Sequence, residues 1–216
     1  MAGTVVPDEI IVVNDHGTPE LKKMLNELKM NTKVIYAYIK DDIAWNYTGS
    51  RNLALWLSRG EFISIEDNDH IPHKEYYEQT LQALRENPEA SRTRTHKRWV
   101  VNVEDVLKNS PDKWKVLSSR PAHQDCCVYR RDAILKLKGY DERFAGAYGW
   151  SATDWRRRLL RAEIKNTNSG YQYVVFSEKT RGLSCRNYHL ARRQDDFQSP
   201  HGIINFKYEY ETLSGS

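Results

Sequence analysis

The sequence predicts an α/β protein, on three observations. A β-branched apolar run, Glu9 to Asp15, is followed by apolar residues at helical spacing and then by a second apolar run, Lys33 to Ile39; strand, helix, strand is the unit from which such folds are built. A further run, Phe62 to Ile65, leads directly into Glu66-Asp67-Asn68-Asp69-His70. The chain's 216 residues, 39% hydrophobic and 11% aromatic, are enough to bury one sizeable core, so one domain is expected. In α/β folds ligands bind beyond the carboxyl ends of the strands, which is where Asp15 and the acidic stretch fall.

Taken in order, the first strand ends at Asp15 and His16-Gly17 makes the turn. Thr18 reads as a helix cap with Pro19 at the first helical position, and Leu21, Met24, Leu25 and Leu28 form the inward stripe. After the second strand, Asn46 to Asn52 opens a helix that packs Leu53, Ala54 and Leu57 inward, with Trp56 as a further candidate, and Gly60 ends it. A helix start carrying Arg51 and Asn52 suits an anion or a nucleotide ribose; it equally suits an ordinary cap with an exposed arginine.

Alternation with period two over residues 61 to 67 reads as a buried strand, and Pro72 stops its continuation. Asp67 and Asp69 then stand at its carboxyl end on the same side. Two such carboxylates repel each other unless a cation or donor compensates them, which makes a candidate hard-metal site; a solvated acidic turn is the alternative.

Residues 73 to 87 read as a helix with Tyr76, Tyr77, Leu81 and Leu84 inward, closed by Pro88. Arg92, Arg94, His96, Lys97 and Arg98 form a basic segment, expected to be a solvated loop rather than a nucleic-acid patch. Trp99 to Val103 and Cys126 to Tyr129 read as strands, Asn109 to Asp112 as a turn, and Arg131 to Leu137 as a short helix ended by Gly139. A glycine-aromatic loop, Gly146 to Trp150, precedes a helix from Asp154 to Ile164 capped by Thr153. Trp155, Leu159 and Leu160 make that helix's apolar face, with Arg156, Arg157, Arg158 and Arg161 around the rest. Tyr171 to Phe176 is a last strand, and the tail through Arg186, His189, Arg192 and Arg193 is polar and irregular.

Composition narrows the function. Thirty-three basic against 29 acidic side chains give a net charge of +4, dispersed and balanced, which argues against a nucleic-acid partner and suits a phosphorylated small ligand. Three cysteines, with Cys126 and Cys127 adjacent, show neither metal spacing nor a disulfide framework and point to a reducing compartment. No apolar run approaches the about 20 residues that span a bilayer, and no signal-peptide pattern opens the chain, so a cytoplasmic location without an integral membrane segment is expected.

Several of these segments fall into a familiar order. Glu9 to Asp15, Gly49-Ser50-Arg51-Asn52, Gly60-Glu61-Phe62-Ile63 leading into Asp67-Asn68-Asp69, and Gly139-Tyr140-Asp141-Glu142-Arg143-Phe144 with the glycine-aromatic loop resemble family 2 glycosyltransferases of the GT-A type and their galactosyltransferase relatives. The resemblance implies a GT-A (nucleotide-diphospho-sugar transferase) fold: a mixed, mostly parallel central sheet flanked by helices, in a single domain over residues 1–216 with its core at about 8–193. It also implies a metal-dependent transfer of a sugar from a nucleotide sugar, a UDP-sugar first, to a hydroxyl of a glycan acceptor. This chain would be the whole enzyme or one domain of a larger glycosyltransferase.

Carried over by position, Asp15 matches the acidic residue that contacts the nucleoside, and Arg51 and Asn52 the pair lining the donor pocket. Asp67 matches the first aspartate of the family's acidic motif, at the ribose, donor sugar or metal, and Asp69 the metal ligand. His189, in Asn187-Tyr188-His189-Leu190, resembles the late histidine that supplies a further ligand; a surface histidine in a tail is the alternative. Transfer leaves a diphosphate, and a divalent ion bridging its oxygens stabilises the growing charge by several kcal/mol. Oxygen ligands favour Mg²⁺ or Mn²⁺, and an imidazole tilts the choice to Mn²⁺. Trp45, Tyr148, Trp150 and Trp155 offer flat faces for sugar rings or belong to the core.

The chain departs from the family pattern twice. Where the family carries a Glu-Asp pair after the glycine-aromatic loop, one of them the general base of an inverting transfer, this sequence has Ser151-Ala152. Asp154, the nearest acid, matches a later acidic position and is the candidate base, or else it caps its helix or holds an arginine. A retaining mechanism, in which the acceptor proton goes to the leaving diphosphate, is open beside it. The family also begins with an extra strand and helix; here Thr4-Val5-Val6-Pro7 is a remnant of that strand, or the fold is shortened. A domain that binds nucleotide sugar or glycan without turnover is the non-enzymatic alternative. Nucleotidyl transfer is weaker, because no glycine-rich phosphate loop is visible.

Overall fold

The computed structural model describes residues 4–28, 30–121, 126–146, 148–176 and 206–213. In chain order the elements are β1 (Glu9–Asp15), α1 (Glu20–Glu27), β2 (Lys33–Ile39), α2 (Tyr47–Leu57), β3 (Phe62–Ile65), β4 (His70–Pro72), α3 (Tyr76–Glu86), β5 (Arg92–Arg94), β6 (Lys97–Asn102), α4 (Val103–Lys108), β7 (Ser118–Arg120), β8 (Cys127–Arg130), α5 (Arg131–Lys136), α6 (Ser151–Arg161), β9 (Asn166–Asn168), β10 (Tyr171–Phe176) and β11 (Tyr208–Leu213). Hydrogen bonding groups the strands into sheets ordered β1-β2-β11, β4-β10-β6-β7 and β3-β8-β5-β9, each of them mixed. Among the described residues no helix is long and apolar enough to cross a membrane.

Backbone packing divides the chain into two compact units. Over the described residues the first holds 7–28, 30–63, 131–146, 148–162 and 206–213, and the second holds 4–6, 64–121, 126–130 and 163–176.

In the first unit β1 and β2 are parallel, with Asp15 beside Ile39. Side chains alternate across the strands, so each face makes its own core. Ile35, Ala37 and Ile39 pack with Leu53 and Leu57 of α2, together with Ile11, Val13 and Tyr208; Val34 and Tyr36 pack with Leu213, Leu21 and Leu25 on the other face. Each fully buried aliphatic of this kind is worth about 1.5–3 kcal/mol. The stripe expected for α1 is half realised: Leu21 and Leu25 pack inward, whereas Met24 and Leu28 are exposed. In α2, Leu55 is buried and Trp56 is exposed. β11 pairs antiparallel with β2; its Tyr-Glu-Tyr-Glu alternation is the period-two pattern of a strand, beyond the last strand the sequence predicts.

Helix α6 begins three residues before the expected start. Trp150, in the left-handed region at φ 68°, takes the cap position, and the Asp154 N–H donates to its carbonyl. Its buried face also differs from the expected one. Trp155 and Leu159 are buried, but the third buried residue is Arg158, while Leu160 is 62% exposed.

In the second unit β10 is flanked by β4 (antiparallel) and β6 (parallel), and α3 buries Tyr76, Thr80 and Leu84. The basic segment is not a loop: Arg92 to Arg94 form β5, Lys97 and Arg98 open β6, and Arg92 is buried with Nη2 donating to Asn166 Oδ1. Long-range pairing with β8 and β9 overrides the local charge there. The strand expected over 61–67 stops at Ile65, so Asp67 and Asp69 lie in a turn and share no strand face. Pro72 does not terminate that strand; it belongs to β4, an edge strand, where a missing N–H is tolerated.

Candidate active site

The acidic turn lies in the second unit and is held by its backbone. The His70 N–H donates to the Asp67 carbonyl at 3.0 Å, the Val175 N–H of β10 donates to the Asp69 carbonyl at 2.8 Å, and His70 pairs with Val174. Asp67 is half-buried, the Asp69 side chain is exposed, and His70 is buried. Asp67, His70 and Cys126 each offer a ligand atom within 4.8 Å of the others. Cys126, fully buried one residue before β8, donates from Sγ to Asp67 Oδ2 at 3.4 Å. Asp69 is not of this group; its Oδ1 lies 2.6 Å from His70 Nδ1. Arg98 Nη1 lies 3.1 Å from His70 Nε2, and Arg98 Nε donates to the Pro121 carbonyl at 2.8 Å. A guanidinium only donates, so Nε2 presents its lone pair to it and the ring proton sits on Nδ1, facing Asp69.

Burial draws Arg98 below the usual arginine value, against the opposing pull of Cys126, Asp69 and Asp67. One carboxylate, one imidazole and one thiol form a donor set that fits Zn²⁺ best and Mn²⁺, a harder ion, less well, while Mg²⁺ prefers oxygen alone. His70 stands beside the acidic motif and its nearness was readable. Cys126 was not, since nothing local in the sequence ties residue 126 to residue 67.

The other predicted residues belong to the first unit. Asn14 shapes the end of β1: its Oδ1 accepts from the Gly17 N–H at 2.7 Å, and its Nδ2 donates to the Thr18 carbonyl and to Tyr36 Oη. Asp15 follows, with Oδ1 accepting from Asn46 Nδ2 at 3.1 Å. Although Asp15 as a residue is exposed, loss of water around its carboxyl raises its pKa, partly offset by hydrogen bonds from Asn46 and Ser50.

Arg51 lies over the Tyr47 ring, 4.2 Å from its centre, and donates from Nη1 to Tyr140 Oη at 3.1 Å. Asn52 is fully buried. Its Nδ2 donates to the Tyr140 carbonyl (2.9 Å) and to Glu142 Oε1 (2.7 Å), and its Oδ1 accepts from the Tyr140 N–H (2.7 Å). Both amide donors are thus used inside the unit, where Asn52 clamps the Gly139–Glu142 segment to α2. Gly139 leaves the room: at φ +69° an added Cβ would come 2.4 Å from Asn52 Oδ1.

Asp154, in the first turn of α6, accepts from Arg158 Nε at 3.0 Å. Arg158 also donates to the Leu137 and Gly139 carbonyls beyond α5 and lies 5.0 Å from the Trp155 ring centre. Burial raises the Asp154 pKa; Arg158 pulls it down and Asp141 pushes it up. Trp155 is core, stacked on Tyr140 at 4.5 Å, while Trp45 and Tyr148 are exposed and meet edge to face at 4.9 Å. His189 and the arginines of the tail lie outside the described residues.

The model of the family described as "Glycosyl transferase family 2" matches residues 4–137. No curated protein sequence matches the chain. Among solved structures, the catalytic domain of Drosophila beta1,4-galactosyltransferase 7, in complex with xylobiose, is similar at 13% identity and a TM-score of 0.51, over 94% of this chain and 86% of that one. A mutant of the same Drosophila enzyme, in complex with manganese, UDP-Gal and xylobiose, is similar at 12% identity and a TM-score of 0.52, with the same coverage. The fold is the GT-A fold of such domains.

Proposed function

The chain belongs to glycosyl transferase family 2, and from that premise we propose that it moves a sugar from a UDP-sugar to a hydroxyl of a glycan acceptor, using a divalent ion held at the acidic turn. The observation that carries this is the convergence of Asp67, His70 and Cys126 within 4.8 Å. It gives the family's acidic motif a donor set, where a solvated turn would have none. The manganese, UDP-Gal and xylobiose of the Drosophila structure belong to that enzyme and support the choice of ion, donor and acceptor class here.

In this reading the ion, when bound, supplies a Lewis acid to the leaving diphosphate. Asp67 holds it, with Asp69 beside it and His189 as a further ligand. Asp15 accepts from the nucleoside, held at the end of β1 by Asn46. Arg51, stacked on Tyr47, presents positive charge to the donor. Asn52 serves the donor side through the Tyr140–Glu142 segment it clamps. Asp154 takes the acceptor's proton; its raised pKa makes it a stronger base than a solvated aspartate, and Arg158 fixes its orientation.

The test is incubation of the protein with UDP-sugars and Mn²⁺. Slow hydrolysis or transfer is expected, with a loss of about a hundredfold or more in Asp67→Ala. Failure of UDP to bind in the presence of Mn²⁺ refutes the proposal. Ser151-Ala152, in place of the family's acidic pair, favours a second reading in which the domain binds donor without turnover; binding by calorimetry with no product in any acceptor screen would select it.

A further inference from the structure

We propose that Cys126 is itself a metal ligand, so that the acidic turn and the residue before β8 contribute one carboxylate, one imidazole and one thiolate to the ion, beside the further ligand proposed above, with Asp69 acting on the ion only through His70. This deepens the function proposed above and rests on its placing of the ion at the acidic turn.

Three observations point to it. Asp67, His70 and Cys126 are brought within ligand distance of one another by two separate pieces of chain: the single turn from β3 into β4, which carries Asp67 and His70, and the residue before β8. The Cys126 thiol already directs its proton to Asp67 Oδ2, at 3.4 Å. Asp69 stands outside the group and meets the Nδ1 side of His70 at 2.6 Å. A ring whose Nδ1–H is given to a carboxylate has its lone pair on Nε2, the arrangement that orients a metal-ligating histidine and raises its basicity. Nε2 now shares that lone pair with Arg98 at 3.1 Å. An ion taking it displaces the guanidinium, and Arg98 keeps its anchor on the Pro121 carbonyl.

Binding exchanges the proton on Sγ for the ion: the S–H bond breaks, a sulfur–metal bond forms, and one proton passes to solvent. The net charge of the site rises by one. A thiolate and an imidazole in the set favour Zn²⁺, Co²⁺ and Mn²⁺ over Mg²⁺.

Cobalt reads this directly. Titrating the purified full chain with Co²⁺ alone should give a near-ultraviolet sulfur-to-cobalt charge-transfer band. The band should vanish in Cys126→Ser, persist in Cys127→Ser and Cys185→Ser, and be displaced by Zn²⁺ but not by excess Mg²⁺. Asp69→Asn should keep the band and weaken Co²⁺ binding by about 10–100-fold, the effect of an outer-sphere partner. Should Cys126→Ser fail to fold, X-ray absorption of the Zn²⁺-loaded wild type decides: one sulfur neighbour at about 2.3 Å supports the inference, and nitrogen and oxygen neighbours alone overturn it. Co²⁺ bound without the band, or a band that survives Cys126→Ser, overturns it too. A protein that transfers sugar with Mn²⁺ yet shows no sulfur ligand sinks this inference and leaves the function standing. One that shows the band yet neither binds UDP nor transfers sugar sinks the function and leaves the ligand standing.

Discussion

Asn52→Ala separates a clamp from a donor contact. The substitution removes two bonds to the backbone of Tyr140 and one to Glu142. Tyr140 is fully buried, so loss of the Asn52 bonds to its N–H and C=O costs about 1–3 kcal/mol each. The lost bond to a carboxylate adds about 1 kcal/mol, and water entering the small space left by the amide returns part of the total. We expect a net loss near 3 kcal/mol, a large share of the ~5–15 kcal/mol that holds a typical domain. Urea unfolding followed by tryptophan fluorescence measures it, since Trp155 stacks on Tyr140. Asn52→Asp should be worse, because it keeps the acceptor for the Tyr140 N–H but sets a carboxylate against the Tyr140 carbonyl and Glu142. A stability loss under about 0.5 kcal/mol, together with a tenfold or greater loss of UDP affinity in the folded variant, would refute the clamp and return Asn52 to direct contact with the donor.

Gly139→Ala places a side chain at φ +69° and against Asn52 Oδ1; it should cost about 2 kcal/mol, and less in an Asn52→Ala background, where the clash is gone, as a double-mutant cycle in urea will report. Arg158→Met should cost about 3–5 kcal/mol in the same assay, because it breaks the buried pair with Asp154 and leaves the Leu137 and Gly139 carbonyls unserved. For Asp154 the folded pKa is raised above 3.8, so between 3.8 and the folded value the native state binds more protons than the unfolded one. Stability from this group is therefore fully present below pH 3.8 and falls as pH rises through the folded pKa; Asp154→Asn should flatten that part of the pH–stability curve. Mn²⁺ at about 100 times its dissociation constant should stabilise the protein by ~2.7 kcal/mol and EDTA should reverse it, as thermal melts with and without chelator will show.

Regular elements were legible where the local pattern was also the final one. β1, β2 and β10 begin and end where the apolar runs do, at Glu9–Asp15, Lys33–Ile39 and Tyr171–Phe176. The local pattern misleads where distant chain decides the outcome. Arg92 to Arg94 form a strand because β8 and β9 flank them, and neither neighbour is near in sequence. Helix α6 starts early because Trp150 adopts a left-handed backbone, a conformation that residue type does not announce. The site followed the same rule. Asp67 and Asp69 were found from their spacing, but period-two geometry put them on one face, and the turn separates them into a member of the ligand group and a partner of His70. Arg51 and Asn52 were legible as a pair, but not that Tyr140 and Glu142 engage them across nearly ninety residues of chain.

The pairing of β11 with β2 has a consequence for how the molecule is made. Residues 34–39 emerge early in synthesis, whereas their antiparallel partner, residues 208–213, follows only after both units' other elements. At ~5–20 residues per second the wait is on the order of ten seconds. Throughout it, one side of β2 displays unsatisfied N–H and C=O groups on a nascent chain, the template on which strands of neighbouring molecules add. Lys33 opens the strand and Lys40 follows it, charges of the kind that discourage such addition at an open edge.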